Sequence, residues 1–212
     1  MPTATASRVP KQDRSRAALE KLLSATREIL SEGTFEQLTI AGISKRSGVS
    51  VGSIYARFQG KDELFLAVMA DVFGELETEW AELISSVRSR QLTLDDKVPE
   101  LIETLAEHLR RHASILKPFM ARGSDPRVAA FGKAGHMKTA SSFQSLLLES
   151  RTEIKHPFPE HAVNACFSIG YAALARFLGL GSAAEAAGEG DWGQLKQDLG
   201  SMCVGFLKQT GA

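Results

Sequence analysis

The residues of this sequence whose spacing best suits a metal site are two histidines. His108 and His112 lie four residues apart, so a helix would place both imidazoles on one face, where they could bind a metal ion. Arg110 and Arg111 lie between them, and no cysteine or carboxylate is placed in the sequence to complete a set of ligands. We therefore expect a partly exposed helix surface here, with no metal ion and no cofactor.

A catalytic serine is the second candidate. Residues 48–52 (GVSVG) match G-x-S-x-G, the nucleophile turn of α/β-hydrolases, which requires a buried strand before the serine and a helix after it. The preceding residues 44–47 (SKRS) are too polar for a buried strand. Elsewhere the sequence shows no obvious pair of carboxylates and no obvious nucleophile beside a base, so it predicts no enzyme.

Residues 39–61 predict two short helices joined by a tight turn, followed by the start of a third helix. Thr39 and Ser50 carry hydroxyls that can accept hydrogen bonds from the free N–H groups at the start of a helix. Gly48 follows two basic residues, which is typical of the place where a helix ends. This is the pattern of a helix-turn-helix, whose second helix lies in the major groove of DNA.

The second of these helices has an inner and an outer face. Ile54 and Phe58 lie four residues apart and are expected to face inward. Small residues at the start of the helix let the backbone approach DNA, and nearby cations neutralise phosphates, which fixes the register without reading bases. The residues expected to contact DNA are Thr39, Lys45, Arg46, Ser50, Val51, Gly52, Ser53, Tyr55, Arg57 and Lys61.

Residues 48–65 (GVSVGSIYARFQGKDELF) resemble the DNA-binding signature of the tetracycline-repressor (TetR) family of one-component transcriptional regulators. The resemblance covers the first third of the chain, and the remainder is similar only in length and helical character. It implies phosphate contacts for Thr39, Tyr55 and Lys61. It implies contacts with bases or the nearby backbone for Ser50, Val51 and Ser53.

Two positions depart from the family pattern. Val51 stands where many members have lysine or a polar residue, which favours contact with a thymine methyl group over hydrogen bonds to guanine. Ala56 stands where a histidine often contacts phosphate, and Arg57 is expected to replace that contact. These departures favour the alternative function, a helical dimeric module that binds a small molecule or a protein and does not bind DNA.

Charge is unevenly distributed along the chain. The whole sequence has 25 basic and 25 acidic side chains, but residues 1–60 have nine basic and five acidic ones. The first 60 residues therefore carry a net +4 and the remainder −4. A basic end on an acidic body is the layout expected of a protein that meets DNA with one end only.

Composition also indicates the cellular setting. Cys166 and Cys203 both lie in apolar, helix-like stretches, which is typical of buried thiols in a reducing cytosol. Residues 1–10 lack the apolar core of a signal peptide, and no apolar run reaches the roughly 20 residues of a membrane helix. We expect a cytoplasmic protein.

The apolar periodicity predicts an all-α fold in three parts. Residues 1–12 form a flexible arm whose basic side chains either contact DNA or are solvated. Residues 13–60 form the helix-turn-helix DNA-binding domain, and residues 61–212 form a larger helical domain for ligand binding and dimerisation. The predicted helices are 13–32, a long one from 61 with a bend near Gly74, 95–112, 115–122, 125–150, 157–179 and 191–209, with a flexible loop at 179–190.

The larger domain is expected to provide a pocket and a dimer interface. Pockets between packed helices are apolar with a few polar groups. The residues that could line such a pocket are Trp80, His108, Phe119, Met137, Asn164, Phe167, Ser168 and Tyr171. The family resemblance implies a homodimer through the last two helices, as a four-helix interface.

The sequence therefore predicts a ligand-responsive transcriptional regulator, usually a repressor in this family. Each subunit of a dimer would place residues 50–57 in one half of a palindromic operator, with the two reading helices about 34 Å apart. The resemblance implies that a small apolar or amphipathic effector binds the helical domain and releases the DNA.

Overall fold

The computed structural model describes residues 11–181 and 187–210, with side chains from residue 13 onward. Within these ranges the chain forms eight α-helices and no β-strand, which confirms the all-α prediction. Most of the predicted arm at residues 1–12 lies outside the described residues, as does the middle of the predicted loop at 179–190. The helices are α1 (Lys11–Glu32), α2 (Ile40–Ser47), α3 (Val51–Tyr55), α4 (Lys61–Ser89), α5 (Leu94–Ala121), α6 (Pro126–Leu148), α7 (Pro159–Phe177) and α8 (Trp192–Lys208).

The first compact unit ends at Met69 and contains α1, α2, α3 and the first turns of α4. Its core forms because the apolar stripe of α1 packs against the inner faces of the short helices. Ile54 is fully buried and Phe58 is buried, as the sequence predicted. The other fully buried side chains of this core include Leu22, Leu30, Leu38, Ile43 and Leu64.

The second compact unit begins at Ala70. Its central helix is α5, which packs against α6, α7 and α8. The largest fully buried side chains of this unit are Phe119, Phe143 and Phe167. The division between the units falls inside α4, later than the predicted boundary between residues 60 and 61. None of the described helices combines the length and apolarity that crossing a bilayer requires.

One predicted interruption is absent from the described helices. The sequence predicted separate helices at 95–112 and 115–122, but α5 continues through this point without a break. The helix continues because Ile115, Leu116 and Phe119 extend its buried apolar stripe. Helix α4 includes Gly74 within one continuous span of 29 residues, and the bend near Gly74 stays a prediction.

A partly buried carboxylate joins α5 to α8. Glu107 accepts hydrogen bonds from the indole N–H of Trp192 at 2.8 Å and from the ammonium of Lys196 at 2.9 Å. Burial alone would raise the pKa of Glu107, but the hydrogen bonds from Lys196, Trp192 and Arg110 outweigh it and lower the pKa to about 2. The carboxylate is therefore ionised throughout the physiological range and holds α8 against α5.

Replacing Glu107 with alanine is expected to lower the free energy of unfolding by about 1–3 kcal/mol, because the partly buried indole of Trp192 loses its acceptor and Lys196 loses one of its two acceptors. Glu103 provides a matched control: it also contacts Lys196, at 2.7 Å, but its side chain is 50% exposed. The variant Glu103→Ala is expected to cost less than about 1 kcal/mol. Urea unfolding followed by circular dichroism measures both. Equal losses would show that burial adds nothing to the Glu107 contacts.

Candidate nucleic-acid interface

Helix α2 begins and ends where the sequence predicts, and α3 begins where predicted but ends at Tyr55, before Phe58. Thr39 accepts a hydrogen bond from the N–H of Gly42 at 3.0 Å, and Ser50 accepts one from the N–H of Ser53 at 3.2 Å. Each hydroxyl thus satisfies a free donor in the first turn of its helix. Gly48 ends α2 with φ of 69°, in the left-handed conformation that glycine adopts without a Cβ clash.

Serine hydroxyls fix the turn between the two helices. Ser44 donates its hydroxyl to the carbonyl of Val49 at 2.7 Å, and the hydroxyl of Ser47 accepts from the N–H of Val49 at 3.2 Å. These bonds were not predicted, although serine beside a turn glycine is a general signal for bonds of this kind. They fix the orientation of α3 relative to α2.

The outer face of α3 is open to solvent. Val51 is 42% exposed and Tyr55 is 57% exposed, and Gly52 and Ser53 are exposed beside them. Ile54, on the opposite face, is fully buried. We call Val51, Gly52, Ser53 and Tyr55 the α3 ridge. A ridge of small, neutral side chains with one phenol hydroxyl is sterically suited to the major groove.

Two of the predicted cations lie in the last turn of α2. Lys45 and Arg46 are both exposed. Arg46 forms an ion pair with Glu32 at 2.8 Å, in which the two side chains are 38% and 63% exposed. Because an exposed ion pair contributes little to stability, a phosphate could replace Glu32 at small cost.

The other two predicted cations have packing roles that the sequence did not reveal. Arg57 donates to the carbonyl and the hydroxyl of Ser15 at 3.1 and 2.8 Å, which ties the end of α3 to α1. Lys61 donates to the carbonyl of Phe35 at 3.2 Å and lies 4.3 Å from the centre of its ring. These partners are 42 and 26 residues away in the chain, so no local pattern signals them. Phosphate contacts by Arg57 and Lys61 stay predictions.

The hydrolase alternative lacks its required geometry. Helix α2 precedes the turn before Ser50, where a nucleophile turn requires a buried strand. The Ser50 hydroxyl caps α3 and lies 2.8 Å from the hydroxyl of Ser53. Residues 48–52 therefore serve the helix-turn-helix.

The eight predicted pocket residues lie in different environments. Trp80 and His108 are buried, and the centres of their rings are 5.5 Å apart. Phe119 is buried in the core, and Phe167 is buried beside Tyr171, at 5.7 Å between ring centres. The remaining three are exposed: Met137, Asn164 and Ser168. The structure thus does not gather all eight around one enclosed space, and the pocket stays a prediction.

A carboxylate completes the histidine pair, contrary to our expectation from the sequence. Glu79 on α4 places its Oε2 2.6 Å from Nε2 of His112 and its Oε1 3.7 Å from Nδ1 of His108. Glu79 lies 33 residues before His112, so only the tertiary structure brings them together. Burial lowers the pKa of His108 to about 4, although the negative charge of Glu79 acts to raise this pKa. His108 is therefore neutral near pH 7.

The first unit matches a known family of DNA-binding proteins. Residues 22–68 match the family model described as bacterial regulatory proteins, tetR family. The HTH-type transcriptional regulator UidR of Escherichia coli (strain K12) is 28% identical over 118 residues, which cover 55% of this chain and 58% of UidR. UidR of Shigella flexneri matches with the same figures. The chain thus spans less than two thirds of the length of these curated relatives.

Solved structures match a larger share of the chain. A TetR-family transcriptional regulator from Mesorhizobium loti has a TM-score of 0.69 at 16% identity, over 92% of this chain and 96% of that one. FadR from Bacillus subtilis, solved in complex with stearoyl-CoA, has a TM-score of 0.64 at 16% identity, over 87% and 97%. GusR from Salmonella enterica has a TM-score of 0.59 at 21% identity, over 91% and 96%. At such identities the similarity shows the fold alone.

Proposed function

We propose that this chain, which its residues 22–68 place in the tetR family of bacterial regulatory proteins, is a repressor that binds a palindromic operator as a dimer. The match of residues 22–68 to the family model supports a DNA-binding transcriptional regulator. The sign of regulation, the form of the operator and release by an effector are the further parts of the proposal.

The exposed α3 ridge is the observation that supports DNA binding most directly. Val51 and Tyr55 lie exposed on one face of a short helix, where they are accessible to a partner such as DNA. The buried Ile54 behind them keeps the ridge from rotating inward. The net +4 of residues 1–60 adds the electrostatic attraction that DNA binding requires.

We infer a dimer because one α3 ridge contacts only a short length of DNA. A single helix in the major groove contacts only a few base pairs, so the specificity of family members depends on two half-sites about one helical turn apart. We place the dimer interface on α7 and α8, as the family resemblance implies. Such a dimer acts on genomic DNA, and we therefore place it in the cytoplasm.

An apolar or amphipathic molecule is the proposed effector. The second unit buries several aromatic rings, among them Phe119, Phe143 and Phe167, and FadR from Bacillus subtilis was solved with stearoyl-CoA. An effector releases DNA if it binds the conformer with low DNA affinity better than the other conformer. Helix α4 is the element that carries such a change, because it continues from the first unit into the second.

Selection from sheared genomic DNA of the source organism tests the proposal. The full chain is expected to enrich fragments that share one palindrome, and DNase I should leave that palindrome protected. Affinity should fall steeply as salt rises, because each neutralised phosphate releases counterions. The alternative function, a binding module without DNA, predicts no enriched palindrome, and that result would overturn the proposal.

Substitutions in α2 and α3 should separate backbone contacts from base contacts. The variant Lys45→Ala is expected to weaken binding to all sequences alike and to lower the salt slope by about one. The variant Val51→Ala is expected to relax the preference at one base pair of each half-site by about 1 kcal/mol, the contribution of one or two buried methyl groups, with the salt slope unchanged. Fluorescence anisotropy with single-base operator variants measures both. An equal loss of affinity for every DNA sequence after Val51→Ala would show that Val51 does not contact bases in the groove.

A further inference from the structure

We propose that Glu79, His108 and His112 form a binding site for one divalent transition-metal ion of the zinc class. This inference does not depend on the proposed function, because the site lies within the second unit and its occupancy is measurable without DNA.

The three side chains bring their donor atoms together from two helices. One ligand atom from each residue lies within 4.8 Å of the other two. Nε2 of His112 and Nδ1 of His108 lie 2.6 and 3.7 Å from the two oxygens of Glu79. A tetrahedral zinc ion with bonds of about 2.0–2.2 Å requires its donor atoms to be about 3.3 Å apart. The two separations from Glu79 bracket this value, and the two imidazole nitrogens lie within 4.8 Å of each other, so side-chain rotations can bring the three donors around one ion.

His108 supplies an independent observation that favours a ligand at this site. The residue is only 6% exposed, and its Nδ1 is buried without a hydrogen-bond partner. Buried polar atoms almost always have a partner, and an exception often marks a site for an ion. Since Nδ1 lies on the side of Glu79, a metal ion between these two groups would satisfy it.

The donor set selects the class of metal. Two imidazoles and one carboxylate suit zinc, cobalt, nickel and ferrous iron, whereas magnesium and calcium prefer oxygen ligands. Three protein ligands also leave a coordination position for water or another donor.

Glu79 borders a surface groove on α4 that is lined with further acidic side chains, namely Asp71, Glu75 and Glu82. Their negative potential raises the local concentration of cations.

Arg111 competes with a metal ion for the carboxylate. Its guanidinium binds Oε1 of Glu79, and its charge repels an incoming cation. Metal binding must therefore displace Arg111, whose side chain is 59% exposed and can turn into solvent. Removing Arg111 should therefore tighten the binding of metal, whereas removing Glu79 or either histidine should weaken it.

Metal titration of the full chain tests the site, with any histidine tag removed and the protein treated with a chelator. Co²⁺ is the first probe, because its visible absorption reports coordination by nitrogen and oxygen, and Zn²⁺ is then titrated in competition. We expect one ion per chain. Glu79→Gln and His112→Gln should each weaken binding by more than about 100-fold, since even residues that only orient a ligand contribute 10- to 100-fold. Arg111→Gln should bind more tightly than the wild-type chain.

Two control variants separate the site from general attraction. Glu82→Gln removes the same charge from the same groove, and His161→Gln removes an exposed imidazole elsewhere in the second unit. His161→Gln should bind Co²⁺ as the wild-type chain does. Glu82→Gln should weaken binding far less than Glu79→Gln does, because it removes one charge from the groove and no donor atom. Zn²⁺ should also raise the melting temperature of the wild-type chain and of both controls, but not that of His112→Gln.

Three results would overturn the proposal. The first is a wild-type chain that binds neither probe at millimolar concentration. The second is an equal loss for Glu79→Gln and Glu82→Gln, which would indicate diffuse attraction to the groove. The third is weaker binding by Arg111→Gln while its helical circular dichroism is unchanged, which would contradict the competition for Glu79.

Discussion

The variant Met202→Asp is expected to be a monomer that no longer binds the operator. Met202 lies on α8 and is 61% exposed, and Ile169 on the adjoining α7 is 56% exposed. If these helices form the proposed dimer interface, the substitution buries an unpaired carboxylate at it. Such a charge costs about 3–5 kcal/mol. That cost raises the dimer dissociation constant by more than about 100-fold.

Operator binding should be lost with the dimer, because a monomer engages one half-site only. Sedimentation equilibrium gives the mass, and anisotropy with the selected operator gives the affinity. Met137→Asp is the matched control, since Met137 is 59% exposed on α6, outside the proposed interface. That control should keep the wild-type mass and affinity. A dimeric Met202→Asp, or a monomeric Met137→Asp, would place the interface elsewhere.

The proposed interface would also account for the exposure of two of the predicted pocket residues. Asn164 and Ser168 are exposed on α7 and are joined to each other by a hydrogen bond of 3.3 Å. With Ala172, which is also exposed, they form a row at helical spacing beside Ile169. Small and polar residues of this kind suit the close approach of helices in a second copy better than they suit an enclosed pocket.

The helix-turn-helix was predictable because its signals are local. The hydroxyls of Thr39 and Ser50 and the left-handed Gly48 each act within a few residues, so sequence spacing alone locates the helix ends. The predicted break within α5 was wrong for a related reason. Nothing between residues 112 and 115 disfavours a helix, and the buried stripe continues on both sides.

The partners of Glu79 and Arg57 escaped prediction because they lie in distant parts of the chain. Glu79 meets His112 across 33 residues, and Arg57 meets Ser15 across 42. Periodicity shows which face of a helix is apolar, but not which residue of another helix lies opposite. For this reason the sequence located the histidine pair and missed its carboxylate.

The variant Ile54→Ala is expected to unfold the first unit while the second unit stays folded. Ile54 is fully buried at the centre of a small core, and truncation of such a residue costs about 2–5 kcal/mol. A domain of this size has a total stability of about 3–10 kcal/mol, so the loss is a large share of it. DNA binding should disappear, since the α3 ridge depends on Ile54 for support.

Hydrogen exchange distinguishes this outcome from general destabilisation. Amides of α1 to α3 should exchange faster in Ile54→Ala, while those of α5 to α8 should keep the wild-type rates and the dimer its mass. Val51→Ala removes methyl groups from the exposed face of the same helix, and it should change the free energy of unfolding by less than about 0.5 kcal/mol. If Ile54→Ala accelerated exchange equally in α5 to α8, the chain would unfold as one cooperative unit. That result would contradict the proposed division into a DNA-binding domain and a ligand-binding domain. In the proposed mechanism an effector acts through α4, which requires that one unit can change its conformation while the other stays folded.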